Sequence, residues 1–328
     1  MPKKVNINEG QHVALFNTIA IEIASKCNRT CHFCPNSYHK REDVFMDDDM
    51  VFNIIKQLKQ LKYKGRIEWY IYNEPTRDER LKFFINHARL MLPSCCQMIN
   101  TNGDYFKSAA DIDALFTAGL NQMQINIYSS ADESEDKNIF ENGVRLAKKR
   151  QEVLQGFLDT LPHIDQTQSL YLNIGPRKRA AKVVPKYGIT KQIKDSEVDG
   201  PNHFSNRSGN VPGFRPAARL DKHCVRPFRF LNINYLGDAI LCCNDFYGET
   251  NFGNVKTHTL VEIWNSDTFN LYRLKLQNKK RDCFLCHNCD YKGGYYPHMC
   301  DSVTFGEAVD EHFLNKDYTT KASIWNTK

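Results

Sequence analysis

The sequence predicts an α/β fold, a parallel sheet or partial barrel built from repeated βα units, followed by a small α+β domain. Three observations carry this expectation. From residue 18 to about 175, short apolar runs alternate with longer amphipathic segments, the pattern of strands and crossover helices around a parallel sheet. From 184 to 220 the chain turns rich in Gly, Pro, Asn and Ser, the composition of a connecting or lid segment. Beyond it, two apolar runs flank Leu236-Gly237-Asp238 and precede a helical segment, which reads as a hairpin followed by a helix.

The periodicity places strands at 19–24, 66–72, 97–101, 122–128 and 170–174. Between them, 47–61, 78–91, 108–118 and 134–158 have the apolar spacing and the length of crossover helices. Right-handed βα connections are expected. The hairpin strands fall at 228–234 and 239–242, and the last helix at 260–276. The chain accordingly divides into an N-terminal extension (1–17), a core (18–220) whose end is a basic and lid-like segment (177–220), a cysteine-rich domain (221–305) and a tail (306–328).

A chain of 328 residues with 41% hydrophobic residues can bury one large core and a smaller appendage. No apolar run approaches the roughly 20 residues that span a bilayer, and MPKKVNINEG lacks the apolar stretch of a secretory signal. The expectation is a cytoplasmic protein without a membrane partner. Twelve cysteines then argue for metal rather than a disulfide framework. They cluster accordingly, three at 27, 31 and 34 and seven between 224 and 300. The net charge of +6 is modest, but Arg177, Lys178, Arg179, Lys182, Lys186, Lys191 and Lys194 form a stretch without acidic residues. Such a field suits a carboxylate, a phosphate or a nucleic acid, or is simply a solvated basic loop.

Cys27-Asn-Arg-Thr-Cys31-His-Phe-Cys34 follows the first expected strand, at the sheet end where α/β enzymes assemble their sites. Three thiolates in one loop can bind three irons of a [4Fe–4S] cube and leave the fourth iron open. The alternative is zinc, with His32 or His39 as fourth ligand. Here the sequence resembles the radical S-adenosylmethionine (SAM) superfamily. That resemblance implies a partial (β/α)6 TIM-like barrel with a small C-terminal auxiliary-cluster domain. It also implies an open iron that chelates SAM, and reductive cleavage of SAM to a 5′-deoxyadenosyl radical. Phe33, before the last cysteine, is implied to lie near the adenine. Tyr72-Asn73-Glu74-Pro75 looks like the family's Gly-Gly-Glu-Pro motif, with Tyr and Asn in place of the glycines. The resemblance gives Asn73 and Glu74 to the SAM amino group; Thr101-Asn102-Gly103 resembles a turn frequent in the family's cofactor site, and Asn126, Ser129 and Ser130 end the fourth strand where ribose- and carboxylate-contacting residues sit.

Cys224, twelve residues, Gly237, four residues and Cys242, then Cys283-Phe-Leu-Cys286-His-Asn-Cys289, resemble the C-terminal auxiliary iron–sulfur domain of such enzymes in its full (SPASM) or shortened (twitch) form. Arg207-Ser-Gly-Asn210 resembles a segment that precedes it. The full form carries two clusters and a longer cysteine run, so one auxiliary [4Fe–4S] cluster is expected. Its ligands are read as Cys224, Cys242, Cys286 and Cys289, with Cys283 the competitor and structural zinc the alternative. Cys243, Cys283 and Cys300 remain as thiols that can donate a hydrogen atom, or as buried small side chains.

The leading expectation is a radical SAM enzyme, an oxidoreductase or isomerase, that abstracts hydrogen from a small polar metabolite such as a sugar or nucleotide derivative. Oxidation, epimerisation or rearrangement would follow. Its partners are the small-molecule substrate and a reductant such as flavodoxin or ferredoxin. Maturation of a ribosomally made peptide stands second, since 1–17 is short for a leader-binding domain. Modification of a nucleic-acid base through 177–194 stands third. A non-catalytic iron–sulfur or zinc protein is the reading from another class.

Overall fold

The computed structural model describes residues 15–31, 33–127, 137–161, 168–174, 178–183, 206–212 and 219–291. Among them, eight strands form one sheet: β1 (Thr18–Ile21), β2 (Arg66–Glu68), β3 (Cys96–Thr101), β4 (Gln122–Ile127), β5 (Ser169–Ile174), β6 (Lys178–Val183), β7 (Phe230–Ile233) and β8 (Ala239–Ile240). The order is β6-β5-β4-β3-β2-β1-β7-β8. Six central strands are parallel, and β6 and β8 close the edges antiparallel. This is the expected α/β partial barrel. Its sixth parallel strand, β7, comes from the segment read as the opening of the cysteine-rich domain.

β1 and β2 are buried at every residue, as parallel strands covered on both faces are. Four crossover helices supply the cover: α1 (Asp48–Gln60), α2 (Leu81–Met91), α3 (Ala109–Thr117) and α4 (Lys137–Asp159). On α1, Met50, Val51, Ile54, Ile55 and Leu58 face the core, one stripe at helical spacing. Asp48 and Asp49 occupy its first turn, where carboxylates complement the helix dipole.

The strands expected at 19–24 and 66–72 end early, at Ile21 and Glu68. Side chains intercept the backbone there. Tyr72 N donates to Glu22 Oε1 at 3.0 Å and Ile71 N to Asn73 Oδ1 at 3.0 Å, which turns the chain out of the ladder. The single helix expected at 260–276 is two, α6 (Leu260–Trp264) and α7 (Asp267–Gln277). Each has its own cap. Thr259 and Glu262 form a capping box on α6, and Ser266 accepts from Phe269 N at 3.3 Å to start α7. Short helices α5 (Arg226–Arg229) and α8 (Phe284–His287) complete the C-terminal part. Gly237 takes φ +87° in the β7–β8 turn, a conformation that costs other residues roughly 1–2 kcal/mol. Of the basic stretch, 178–183 forms β6 and the rest lies outside the described residues, as do Ser129, Ser130, His32 and Cys300. No helix among the described residues is long and apolar enough to cross a membrane.

One buried ion pair ties these parts together. Glu22, fully buried after β1, accepts from Arg41 Nη1 at 2.8 Å. The Arg41 guanidinium lies 3.8 Å from the Phe246 ring centroid and donates to the Phe246 carbonyl. It therefore joins the loop after β1, the loop after β2 and the chain beyond β8. Arg41→Ala would leave Glu22 charged and unpaired in the core, so a loss of about 3–5 kcal/mol is expected, read as a lower urea midpoint. Adding Glu22→Gln to that variant should restore part of the loss.

Candidate active site

The loop after β1 is folded by its own polar groups. Cys34 N donates to the Cys31 carbonyl at 2.9 Å, Ser37 Oγ to the same carbonyl at 2.5 Å, and Ser37 N to the Cys34 carbonyl at 3.0 Å. Cys31 and Cys34 therefore sit in one compact turn, and Cys27, Cys31 and Cys34 all line the same cavity. Burial pushes the Cys27 thiol up to about 11 and the Cys31 thiol up to about 12. The neighbouring thiols add to both shifts, and burial also raises Cys34. Such thiols ionise only against a strongly positive partner, which an iron centre provides. Among the described residues, no three Cys, His, Asp or Glu side chains converge closely enough to hold one metal ion. A cube distributes its cysteines over different irons, so three thiols around a cavity mouth fit a cluster better than a single zinc. His39, weighed as a zinc ligand, instead packs its ring 4.8 Å from that of Tyr247, with Nε2 3.3 Å from the Asn210 carbonyl.

The cysteine loop is fastened to the turn after β3. Arg29 Nε donates to Asp104 Oδ2 at 2.6 Å, and Asn28 Nδ2 to the same oxygen at 2.9 Å. Asn102 Nδ2 donates to Asn28 Oδ1 at 2.8 Å and lies 3.7 Å from Cys27 Sγ. Glu74 is the hub on the other side. Its Oε1 accepts from Thr101 Oγ1 and Thr76 Oγ1, each at 2.6 Å, and from Thr76 N at 3.1 Å; Oε2 accepts from Asn102 N at 2.8 Å. Burial raises the carboxyl above its ordinary value while these hydrogen bonds favour the ionised form. Asn73 spends Oδ1 on Ile71 N, and its buried Nδ2 has no partner among the described residues.

These groups surround a cavity of about 410 Å³. Inward positions of the parallel strands furnish much of its wall: Glu68 of β2, Asn100 of β3, Asn126 of β4, Phe230 and Asn232 of β7. Tyr70 joins them, hydrogen-bonded to Glu68. The sequence reading missed Glu68, Tyr70, Asn100, Asn232 and Arg226. For Glu68, Asn100 and Asn232 the available signal was a polar residue at an inward position of a strand otherwise apolar enough to be buried on both faces; nothing local marked Tyr70 or Arg226. Phe33, Asn73, Glu74, Asn102 and Asn126 line the same space.

The second cysteine group lies against this cavity. Cys224, Cys242, Cys286 and Cys289 line one small void of about 10 Å³, together with Arg226 and Arg281. Asn244 donates from its backbone to Cys242 Sγ at 3.4 Å and from Nδ2 to Cys289 Sγ at 3.5 Å. Four thiols with amide donors form a donor set that fits an iron–sulfur cluster. Cys283, at the start of α8, lies outside that void and hydrogen-bonds to Cys286. Cys242 and Cys243 both reach the large cavity. Arg207 lines it as well, held with Ser208 in left-handed backbone, φ +49° and +60°. Asn206 enforces that turn, accepting from Ser208 N at 3.0 Å and donating to the Asn288 carbonyl at 2.6 Å.

Residues 21–162 match the Radical SAM superfamily, and residues 224–290 match SPASM, an iron-sulfur cluster-binding domain. The S-adenosyl-L-methionine-dependent 2-deoxy-scyllo-inosamine dehydrogenase of Niallia circulans is 26% identical over 278 residues, 84% of this chain and 93% of that protein. Two solved structures share the fold. BtrN in complex with AdoMet and 2-DOIA has a TM-score of 0.64 at 24% identity, covering 84% of this chain and 94% of its own. Selenomethionine BtrN in an open conformation has a TM-score of 0.55 at 21% identity, covering 84% and 93%. With a three-cysteine loop on the first strand of a partial barrel and a second cysteine set behind it, the chain belongs to the radical SAM superfamily, as an enzyme that uses a [4Fe–4S] cluster and SAM and carries a SPASM iron–sulfur domain.

Proposed function

We propose that the chain abstracts a hydrogen atom from a C–H bond of a small, polyhydroxylated, sugar-like molecule, the first step of an oxidation or epimerisation. The observation that carries this reading is the shared cavity. Cys27, Cys31 and Cys34 open on a space whose wall carries six asparagine amides, three tyrosine phenols and the carboxylates of Glu68 and Glu74, groups that donate to and accept from hydroxyls. Its size is that of a small-molecule site. The dehydrogenase of Niallia circulans, whose name specifies 2-deoxy-scyllo-inosamine, supports the same substrate class and favours oxidation.

In this reading Cys27, Cys31 and Cys34 hold the SAM cluster, and Cys224, Cys242, Cys286 and Cys289 hold one auxiliary cluster. Phe33, Asn73, Glu74, Asn102 and Asn126 form the SAM-facing wall. Reduced by a flavodoxin or ferredoxin, the bound cluster and SAM supply a 5′-deoxyadenosyl radical. The chain supplies binding, orientation and exclusion of water. Glu74, fixed by four accepted hydrogen bonds, presents a carboxylate whose direction is set before any cation arrives. The Arg29–Asp104 pair holds the cysteine loop against the turn after β3. Phe33 and Tyr72, both buried, shield the cavity from solvent.

After anaerobic reconstitution, SAM and dithionite should yield 5′-deoxyadenosine. The triple change Cys27→Ala, Cys31→Ala, Cys34→Ala should abolish that product and remove one cluster's iron and sulfide. The pair Cys224→Ala, Cys242→Ala should lose the other cluster and retain some SAM cleavage. Glu74→Gln exchanges an acceptor for a donor where an ammonium would bind; SAM KM should rise about 10-fold or more, the cost of a hydrogen bond to a charged group. Substrate class is read by incubation with carbon-deuterated 2-deoxy-scyllo-inosamine and related polyols. Deuterium should appear in 5′-deoxyadenosine. Transfer from a peptide or oligonucleotide, with none from any polyol, would reject the proposal.

A further inference from the structure

The register of β2, β1 and β7 builds one side of the large cavity in layers. In the lower layer Thr18 is matched with Arg66 on one side and Phe230 on the other. The Arg66 guanidinium lies 5.9 Å from the Phe230 ring centroid, and Thr18 between them is buried, so that layer is filled. One layer up, Ala20 is matched with Glu68 and with Asn232, and all three line the cavity. Two strand spacings put the Cα atoms of Glu68 and Asn232 roughly 10 Å apart. Ala20 fills only the depth of a methyl group between them. The layer thus keeps a notch with a carboxylate on one flank and a carboxamide on the other.

The two flanks are complementary. Glu68 Oε1 lies 2.8 Å from Arg66 Nε, and the carboxylate accepts from the Tyr70 hydroxyl. An ionised carboxylate has about four acceptor sites, so these contacts leave capacity toward the cavity, and Arg66 already balances the charge. Asn232 Nδ2 is a buried donor without a hydrogen-bond partner among the described residues, in a residue only 3% exposed. A ligand that accepts from it removes the cost of that state. The notch therefore offers one charge-balanced acceptor and one open donor. A hydroxyl answers both, since it donates and accepts. An ammonium has donors only, so it would leave Asn232 Nδ2 unsatisfied, and the Arg66 cation would repel it.

We propose that Glu68 and Asn232, on either side of Ala20, form a substrate subsite that selects for hydroxyl groups, one hydroxyl bridging the two residues or a neighbouring pair shared between them, and not for an amine. The inference rests on the reading of a polyhydroxylated substrate proposed above. It adds which side chains select that substrate and by which group. An amine borne by the same molecule lies outside the notch.

Binding is read without turnover, by calorimetric titration of the SAM-loaded, unreduced holoenzyme with two probes, neutral scyllo-inositol and the amine 2-deoxy-scyllo-inosamine. Asn232→Leu keeps much of the side-chain shape and removes the donor. It should weaken both probes by about tenfold, the loss of one buried hydrogen bond. Its urea midpoint without probe should equal or exceed that of wild type, because Nδ2 has no hydrogen bond to lose, whereas a residue that only supports the wall would lower it. Glu68→Gln should weaken the two probes by the same factor. Ala20→Leu, which fills the notch, should weaken both by about tenfold or more. If Glu68→Gln fails to fold with Arg66 left uncompensated, the other two variants decide. Loss confined to the amine probe in Glu68→Gln would make Glu68 a counter-ion and overturn the proposal. So would unchanged dissociation constants in Asn232→Leu or Ala20→Leu, a lowered midpoint in Asn232→Leu, or no binding of either probe to wild type. Failure of the underlying reading looks different: wild type then transfers no deuterium from any carbon-deuterated polyol to 5′-deoxyadenosine.

Discussion

The parallel pairing of β1 with β7 is the constraint on which the site depends. Four consecutive residues are matched, Thr18 with Phe230 through Ile21 with Ile233. Backbone bonds continue the pairing at both ends, from Asn17 N to the Arg229 carbonyl and from Glu22 N to the Ile233 carbonyl. Ala20 and Asn232 become neighbours on one cavity. A cysteine loop that leaves β1 and a cysteine pair that follows β8 are thereby brought to a single space, although nearly two-thirds of the chain separates them. Parallel pairing over that sequence distance carries a large loop-closure cost. The reward has to come from burial, and β1 is buried at every residue.

Polar groups inside the barrel follow from the same geometry. An inward residue of a curved parallel sheet meets other inward residues more than water, so a buried polar one needs a partner or a ligand. Some have partners: Arg66 lies 2.8 Å from Glu68, Arg41 2.8 Å from Glu22, and Glu74 accepts four hydrogen bonds. These pairs order the wall. Others, Asn73 and Asn232 among them, keep an unsatisfied nitrogen. The satisfied set gives rigidity, and the unsatisfied set leaves polar atoms that a bound polar group can complete.

Much of this was legible before any coordinate. Cys27, Cys31 and Cys34 are recognisable because their spacing lies within one loop and needs no tertiary information, and Glu74 because Tyr72-Asn73-Glu74-Pro75 resembles a family motif. The helices were legible where apolar spacing ran unbroken, as along Met50 to Leu58 of α1. The break between α6 and α7 was not, since Ser266 as a cap and Ser266 as a mid-helix residue look alike until Phe269 N is seen to bond it. Glu68, Tyr70, Asn100 and Asn232 were missed for a related reason. A polar residue in a short strand is an inward ligand or an edge position according to register, and register is fixed only when the partner strand is known. Arg41 could not be paired with Glu22 from sequence, because nothing local links a loop arginine to a buried strand-end carboxylate.

The two cysteine sets also create an electrostatic problem that two arginines answer. In the reading proposed above each set would hold an anionic, thiolate-bound cluster, and two such charges beside one cavity of low polarisability would repel each other. Arg226 lines both the large cavity and the void between Cys224, Cys242, Cys286 and Cys289, its guanidinium 3.8 Å from the Tyr291 ring centroid. Arg207 lines the large cavity and neighbours Cys34 and Cys243. Positive charge is thus interposed at each set. The strained turn at Arg207 and Ser208 fits this account. Left-handed backbone at two successive non-glycine residues costs on the order of 1–3 kcal/mol each, and Asn206 enforces it with bonds on both sides. A relaxed turn would be more stable and would aim the guanidinium elsewhere, so the strain is the local cost of holding a cation beside Cys34 and Cys243.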